Sequence, residues 1–461
     1  MMRVEKKAFV SKSKVKTVGF DGFSVTRCHQ GKRESGILYA EKSANCNCFD
    51  GRLKTGFGIR ACVDGAGRNV VAPLGVVAEQ FFLWRGKDDD GADAERLCFM
   101  TREGNFYFRD EESGVFLRRG DWGAGVRLHE ALDLSRNPHL LSIGKSGVYS
   151  FDKNLGWQGS SIVGLDNPVC GCVCNGRVFV GAKPYTLIYS APFEPTGFEN
   201  TIDESGRLYF SSERGEIVDF AVFENDLYVF FEYGIMRLGM SGAAREFQPT
   251  GVAYSGGRIF ENAIGVSGGA LYFLTENGIK RFDGNAVKDA FADMEIKPKK
   301  EGQRCAFARC GDQFLLKFID EADTERVIVL DSDGENGYFA FENTKIDGLS
   351  FVDGKSYCQT EDDVCWVLDD VDLPTGEEYS FLTTTDFGVN GRKTLKTLKI
   401  EGEGGFLLTV KSALGAKRLE MDLTGGCDCV KVGLRGERFS LDFLLKKGAK
   451  IEKVEAEIEY L

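Results

Sequence analysis

The stretch Leu271-Tyr-Phe-Leu-Thr-Glu-Asn-Gly-Ile-Lys-Arg-Phe-Asp-Gly284 decides the fold. It reads as strand, tight turn, strand. Leu271, Phe273, Ile279 and Phe282 are apolar strand formers, and Asn277-Gly278 supplies two residues that tolerate positive φ at a type I′ hairpin turn. Looser copies recur as Gly104-Asn-Phe-Tyr-Phe-Arg-Asp110, Ser146-Gly-Val-Tyr-Ser-Phe-Asp152 and Tyr233-Gly-Ile-Met-Arg-Leu-Gly239. The turn glycines Gly104, Gly147, Gly234 and Gly278 stand 43, 87 and 44 residues apart. The 87 is a double step, so another copy is expected near residue 190. It is present as Gly176-Arg-Val-Phe-Val-Gly-Ala-Lys-Pro-Tyr-Thr-Leu-Ile-Tyr-Ser190, with its turn at Lys183-Pro184. Forward steps from Gly278 reach Glu321–Glu325, between Phe314–Phe318 and Arg326–Asp331, and then Asp362-Asp363.

A period of about 40–45 residues holding about four short strands is the signature of a β-propeller. A four-stranded sheet cannot bury both faces alone; a ring of sheets buries each face on a neighbour and leaves only short edges. Residues 76–375 have room for about six or seven such blades. After Leu373-Pro-Thr-Gly376 strict alternation takes over. Phe439, Leu441 and Phe443 alternate with Ser440 and Asp442; Val454, Ala456, Ile458 and Tyr460 alternate with Glu455, Glu457 and Glu459. This pattern predicts a half-buried antiparallel sheet, most simply a small β-sandwich. The expected fold class is therefore all-β: an arm and β-hairpin segment over 1–75, which completes the propeller or contacts neighbours, a propeller over 76–375, and a C-terminal β-sandwich over 376–461. Residues 126–134 and 286–294 are the best candidates for short helices. Asp50-Gly51 is a further hairpin signal.

Composition supports short strands and tight turns: 57 Gly and 36 Phe against 9 Pro in 461 residues, with 43% apolar residues to build a core. The net charge of −12 argues against a nucleic-acid binder held by phosphate contacts. The charge is uneven. From Thr383 onward 14 Lys+Arg face 12 Asp+Glu, which leaves 44 against 58 in the preceding 382 residues, so the acidity lies in the repeat region. At the other end, Arg3, Lys6, Lys7, Lys12, Lys14 and Lys16 make a basic arm, read as solvated or as docking on an acidic neighbour. Met1-Met-Arg-Val-Glu-Lys-Lys7 has no apolar run after its charges, so no signal peptide is expected, and no stretch reaches 18 apolar residues. The 14 Cys are accordingly read as reduced thiols in a cytoplasm, without disulfides or zinc.

No residue set carries a catalytic, cofactor or metal site. Cys170-x-Cys172-x-Cys174, Cys46-x-Cys48 and Cys427-x-Cys429 lack the wider knuckle spacing of structural zinc, and on strands they read as buried small hydrophobes. His29, His129 and His139 stand apart from any nucleophile motif, and His139, after Pro138, reads as structural. Asp88-Asp-Asp-Gly91 and Asp331-Ser-Asp-Gly334 are turn-like fragments without the spacing of a calcium loop.

The order of pieces resembles a known family. Phe49-Asp-Gly-Arg52 and Arg60 precede the ring of aromatic hairpins, which includes Arg177-Val-Phe-Val-Gly181, Ile188-Tyr-Ser190 and Leu227-Tyr-Val-Phe-Phe-Glu-Tyr-Gly-Ile235. Thr385-Asp-Phe-Gly388 with Lys393-Thr-Leu-Lys396 opens the sandwich. This looks like the propeller-containing structural proteins of bacteriophage tails, the nozzle (tail tubular protein B-like) and tail-hub proteins of short-tailed phages. The resemblance implies a non-catalytic virion protein assembled in the bacterial host cytoplasm. It also implies a homo-oligomeric ring, of six copies in such proteins, that contacts other tail or portal-adaptor proteins, meets DNA only in passage through its lumen and has no membrane partner. Two other classes stay open: a carbohydrate-active or glycan-binding propeller, and a cytoplasmic propeller scaffold for protein partners.

Overall fold

The computed structural model describes residues 14–24, 36–55, 58–87, 92–110, 113–123, 125, 127–144, 147–151, 157–160, 167–199, 205–240, 244–291, 296–332, 338–341, 345–368, 380–387 and 391–460. Among them the regular structure is strand, apart from two single 3₁₀ turns at Ser212–Arg214 and Ala244–Glu246. No helix among the described residues is long and apolar enough to cross a membrane. The chain divides into two compact units: residues 1–58, 336–342 and 370–461, and residues 59–335 with 343–369.

The second unit is built on seven antiparallel sheets in up-and-down order, of which the sixth draws its outer strand, Tyr338–Phe341, from the first unit. Their first strands are Ala78–Lys87, Arg127–Leu132, Pro168–Cys174, Ile217–Phe223, Ile259–Ser267, Ala306–Cys310 and Asp347–Val352. Each first strand neighbours the next, and Asp347–Val352 neighbours Ala78–Lys87, so the circuit closes. The hairpins found by periodicity are the turns between second and third strands. Lys183-Pro184, for example, joins Arg177–Ala182 to Thr186–Tyr189, and Glu361-Asp362 joins Lys355–Thr360 to Asp363–Leu368. Side chains from adjacent sheets interleave into apolar layers. Phe230, Tyr228, Phe273 and Phe282 fill one such layer, with ring pairs 5.3–5.4 Å apart at steep angles.

The seventh sheet takes its outer strand, Gly58–Ala61, from sequence that precedes the first sheet. Cys62 donates its N–H to Val364 O (2.8 Å), Val364 returns one to Val70 O (2.9 Å), and Ala72 donates to Asp362 O (2.8 Å). Next to these, Gln359 clamps the start of the first sheet. Its Oε1 accepts from Ala78 N (2.7 Å) and its Nε2 donates to Val76 O (2.8 Å). Ser350 Oγ accepts from Phe81 N (2.9 Å). Early and late sequence thus close one circuit, which removes the two open edges that a row of sheets would otherwise expose.

The first unit consists of two six-stranded sheets. One runs Cys427–Gly436, Lys393–Glu403, Lys450–Tyr460, Leu53–Thr55, Cys46–Asn47, with Lys14–Phe20 also paired to Lys450–Tyr460. The other runs Gly22–Ser24, Ile37–Ala44, Ser380–Thr384, Ser440–Leu445, Gly405–Ser412, Gly415–Asp422. Phe439, Leu441, Phe443, Val454, Ala456 and Ile458 are all fully buried, as the alternation requires, while Tyr460 packs at the margin. The same core contains Phe20, Phe23, Leu38, Cys46 and Leu53.

Several expectations are corrected. The two-residue turn of the opening hairpin is Glu276-Asn277, since Gly278 is paired with Thr275. Gly278 has positive φ (101°) and Asn277 does not, so one left-handed residue suffices where type I′ needs two. In place of the helix expected over 126–134 the chain forms a strand, Arg127–Leu132, because tertiary pairing with Pro138–Gly144 outweighs the local helical spacing. Val287–Asp289 is likewise a strand, and 292–295 lie outside the described residues. The arm-and-hairpin segment 1–75 is not one piece: residues to 58 join the C-terminal strands and those from 59 join the sheets of the second unit. The C-terminal region 376–461 is not self-contained either, because its sheets include strands from residues 14–55.

Candidate functional site

The seven first strands surround a cavity of about 1100 Å³ on the axis of the second unit. Its wall is shaped by irregular backbone. Registers slip between Ala78 and Gln80, Pro168 and Cys170, Ile217 and Asp219, Ile259 and Ile264, and Asp347 and Ser350. Such bulges re-aim side chains out of the pleat. Four polar bridges cross from one sheet to the next at this wall. Gln80 accepts from Leu128 N (3.0 Å) and donates to Leu128 O (3.1 Å). Asp219 accepts from its neighbour Phe220 N (2.8 Å) and from Asn262 N (3.0 Å) on the following sheet, where Asn262 sits at φ 58°. Lys317, buried, donates to Ile346 O (2.5 Å) and Asp347 Oδ1 (3.1 Å), and also pairs with Glu325 (3.3 Å). Arg85 spans Glu95 (3.0 Å), Glu130 (3.5 Å) and Asp353 (3.3 Å).

Burial dominates the electrostatics. It pushes the Asp219 carboxyl up to about 6, against the lowering effect of its backbone N–H partner Phe220 and of Arg127. It holds the His129 imidazole down at about 4, with the Arg127 charge acting in the same direction. His129 is therefore neutral at pH 7, and its Nε2 is sealed from solvent without a hydrogen-bond partner. Burial also raises Glu130, which Arg85 opposes.

The residues weighed from sequence fall in scattered places. Cys170 and Cys174 are buried between sheets, and Cys172, half-buried, lines the axial cavity. Cys46 and Cys48 are buried in the first unit. Cys427 and Cys429 do not fit the core reading: both are exposed. Their strand lies at the end of its sheet, and the odd-numbered side chains point out while Val430 and Val432 pack inward. His139 bridges Ser150 Oγ (3.0 Å) and Asp133 Oδ2 (3.4 Å), a structural role. His29, Asp88-Asp-Asp-Gly91 and Asp333-Gly334 lie outside the described residues. Among the described residues no three His, Cys, Asp or Glu side chains converge as metal ligands, and the thirteen described cysteines are free thiols. Arg127, Asp219, Asn262, Lys317 and Asp347 were not singled out from sequence. Their signal was weak: a single polar residue on a first strand for Arg127, Asp219, Asn262 and Asp347, and on a second strand for Lys317, hidden for Arg127 by the helical spacing of its segment.

Up-and-down sheets whose first strands form a closed circuit around an axis make this unit a β-propeller. No protein-family model matches the chain, and no curated protein matches it in sequence. Among solved structures it is similar to virginiamycin B lyase from Staphylococcus aureus, at 12% identity over 64% of this chain and 96% of the other, with a TM-score of 0.44. It is also similar to the β-propeller domain of Myceliophteria thermophila Cps50 (Swd1), at 10% identity over 65% and 99%, TM-score 0.42. The WD40 β-propeller domain of Doa1 gives 12% over 68% and 98%, TM-score 0.41. At these values the likeness carries no argument about activity, and the propeller assignment rests on the strand topology itself.

Proposed function

We propose that this chain is a non-catalytic structural protein of a bacteriophage tail, a nozzle, hub or connector subunit that forms a ring with copies of itself. In this reading the seven sheets are seven blades and the two six-stranded sheets are a β-sandwich. The observation that carries the structural role is the use made of the polar groups on the propeller axis. Gln80, Asp219, Lys317 and Arg85 each reach across from one sheet to its neighbour. Groups that a catalytic centre would leave free to meet substrate act here as cross-braces between blades. The tail assignment itself draws on the residue pattern, from the aromatic hairpins to the closing sandwich strands.

The same reading separates the propeller axis from the path of DNA. An axial cavity of about 1100 Å³ is too small to pass a duplex, so the lumen would be the centre of the ring of copies. The acidic surplus of the first 382 residues, 58 against 44, suits a lumen that repels the phosphate backbone. Negative-stain imaging of the purified full-length chain tests the proposal. Closed rings with a central opening support it; single particles at every concentration overturn it and favour the monomeric scaffold.

A further inference from the structure

Beyond any structural role, we propose that the axial cavity of the propeller binds a small neutral polyhydroxylated ligand, a mono- or oligosaccharide. Size comes first: the inward side chains leave about 1100 Å³ unfilled, just above the usual span of small-ligand sites and roomy enough for a sugar. Charge selects the class. Seven carboxylates and six cationic side chains line the cavity, so its field is close to balanced and favours neither a polyanion nor a polycation. Most of these charges are taken up in the bridges between sheets. Arg102 and Arg127 line the cavity with no hydrogen bond or ion pair to another described residue, and of the two it is Arg127 whose charge acts on Asp219.

The polar groups near Arg127 are rigid and planar, as hydroxyl recognition requires. The Asp219 carboxylate is fixed by the backbone amides of Phe220 and Asn262, and each oxygen keeps a further lone pair. Asn262 holds its amide there from a left-handed conformation, backbone strain of the kind that gathers at binding sites. A fixed carboxylate acceptor and an unengaged guanidinium donor together match the vicinal donor–acceptor hydroxyls of a sugar. Phe82, Tyr107 and Phe307, all half-buried, leave ring surface in the same lining for the apolar C–H face of a pyranose.

The test uses the full-length protein and saturation-transfer NMR. Its probes are glucose, galactose, mannose, lactose and maltose at millimolar concentration, with inorganic phosphate and AMP as anionic counter-probes. At least one neutral sugar should show transfer. Arg127→Gln and Asp219→Asn should each weaken that sugar by about tenfold or more, the loss expected for a hydrogen bond to a charged group. Arg127→Gln breaks no hydrogen bond or ion pair among the described residues, so it keeps the test readable if Asp219→Asn loosens the fold. Silence from all five sugars, binding of the anions alone, or unchanged sugar binding in a folded Arg127→Gln protein overturns the proposal.

Discussion

Asp219 and His129 face the same axial space with pKa values displaced in opposite senses. Asp219 is held at about 6, above its ordinary 3.8, so between those values the folded chain keeps a proton that the unfolded chain has released. Its contribution to stability therefore falls as pH rises through that window. His129 is held at about 4, below its ordinary 6.5, so there the unfolded chain carries the extra proton and stability rises with pH. The slopes oppose each other from about pH 4 to 6. Urea unfolding midpoints across that range should show His129→Gln losing ground to the wild type as pH rises, and Asp219→Asn gaining it. Parallel profiles for all three proteins would mean that neither group titrates as its burial demands. The thiols give a second check at this scale. In native protein, alkylation read by mass spectrometry should reach Cys427 and Cys429 quickly, while Cys98 and Cys358, fully buried, stay protected until denaturation. Equal protection of all four would contradict the exposed strand. Gly104 gives a third. It sits at φ 92°, and an added Cβ would fall on the Gly123 backbone. Gly104→Ala should lower the melting temperature by several degrees, whereas Gly278→Ala, where a Cβ meets open space, should cost only the strain of its φ.

At the scale of elements, the hairpin period was legible because turn chemistry is local. Gly104, Gly147, Gly234 and Gly278 mark the starts of third strands whatever surrounds them. The alternation of Phe439–Phe443 and Val454–Ile458 was legible for a similar reason, since one buried face imposes period two. The partners of those strands were not legible. Nothing in Lys14–Phe20 says that it pairs with Lys450–Tyr460, and nothing in Gly58–Ala61 says that it completes the last propeller sheet; the first pairing spans nearly the whole chain and the second about two thirds of it. Cavity residues were hidden because their roles come from bulges and from neighbouring sheets rather than from sequence spacing. These long-range pairings have a consequence. A fragment of residues 376–461 lacks Phe20, Phe23, Leu38 and Leu53 and should show no dispersed NMR spectrum alone, but should fold when co-expressed with residues 1–58. A folded fragment on its own would show that the early strands merely decorate the sheets. Within that core, Phe443→Ala should cost about 3–5 kcal/mol in chemical denaturation.

At the scale of the whole molecule, the claim is that copies of an acidic propeller protein assemble into a ring without binding the DNA they surround. A chain of net charge −12 should give no gel shift with duplex DNA at physiological salt. Retardation of the duplex would point to a basic surface that the balance of charges does not suggest. The assembly itself is read most directly by mass photometry of the full-length chain over a dilution series. A single dominant species near 305 kDa, six times the 50.9 kDa chain, is the expected result. A peak at 50.9 kDa alone, at every concentration, would contradict the ring and with it the tail-protein reading.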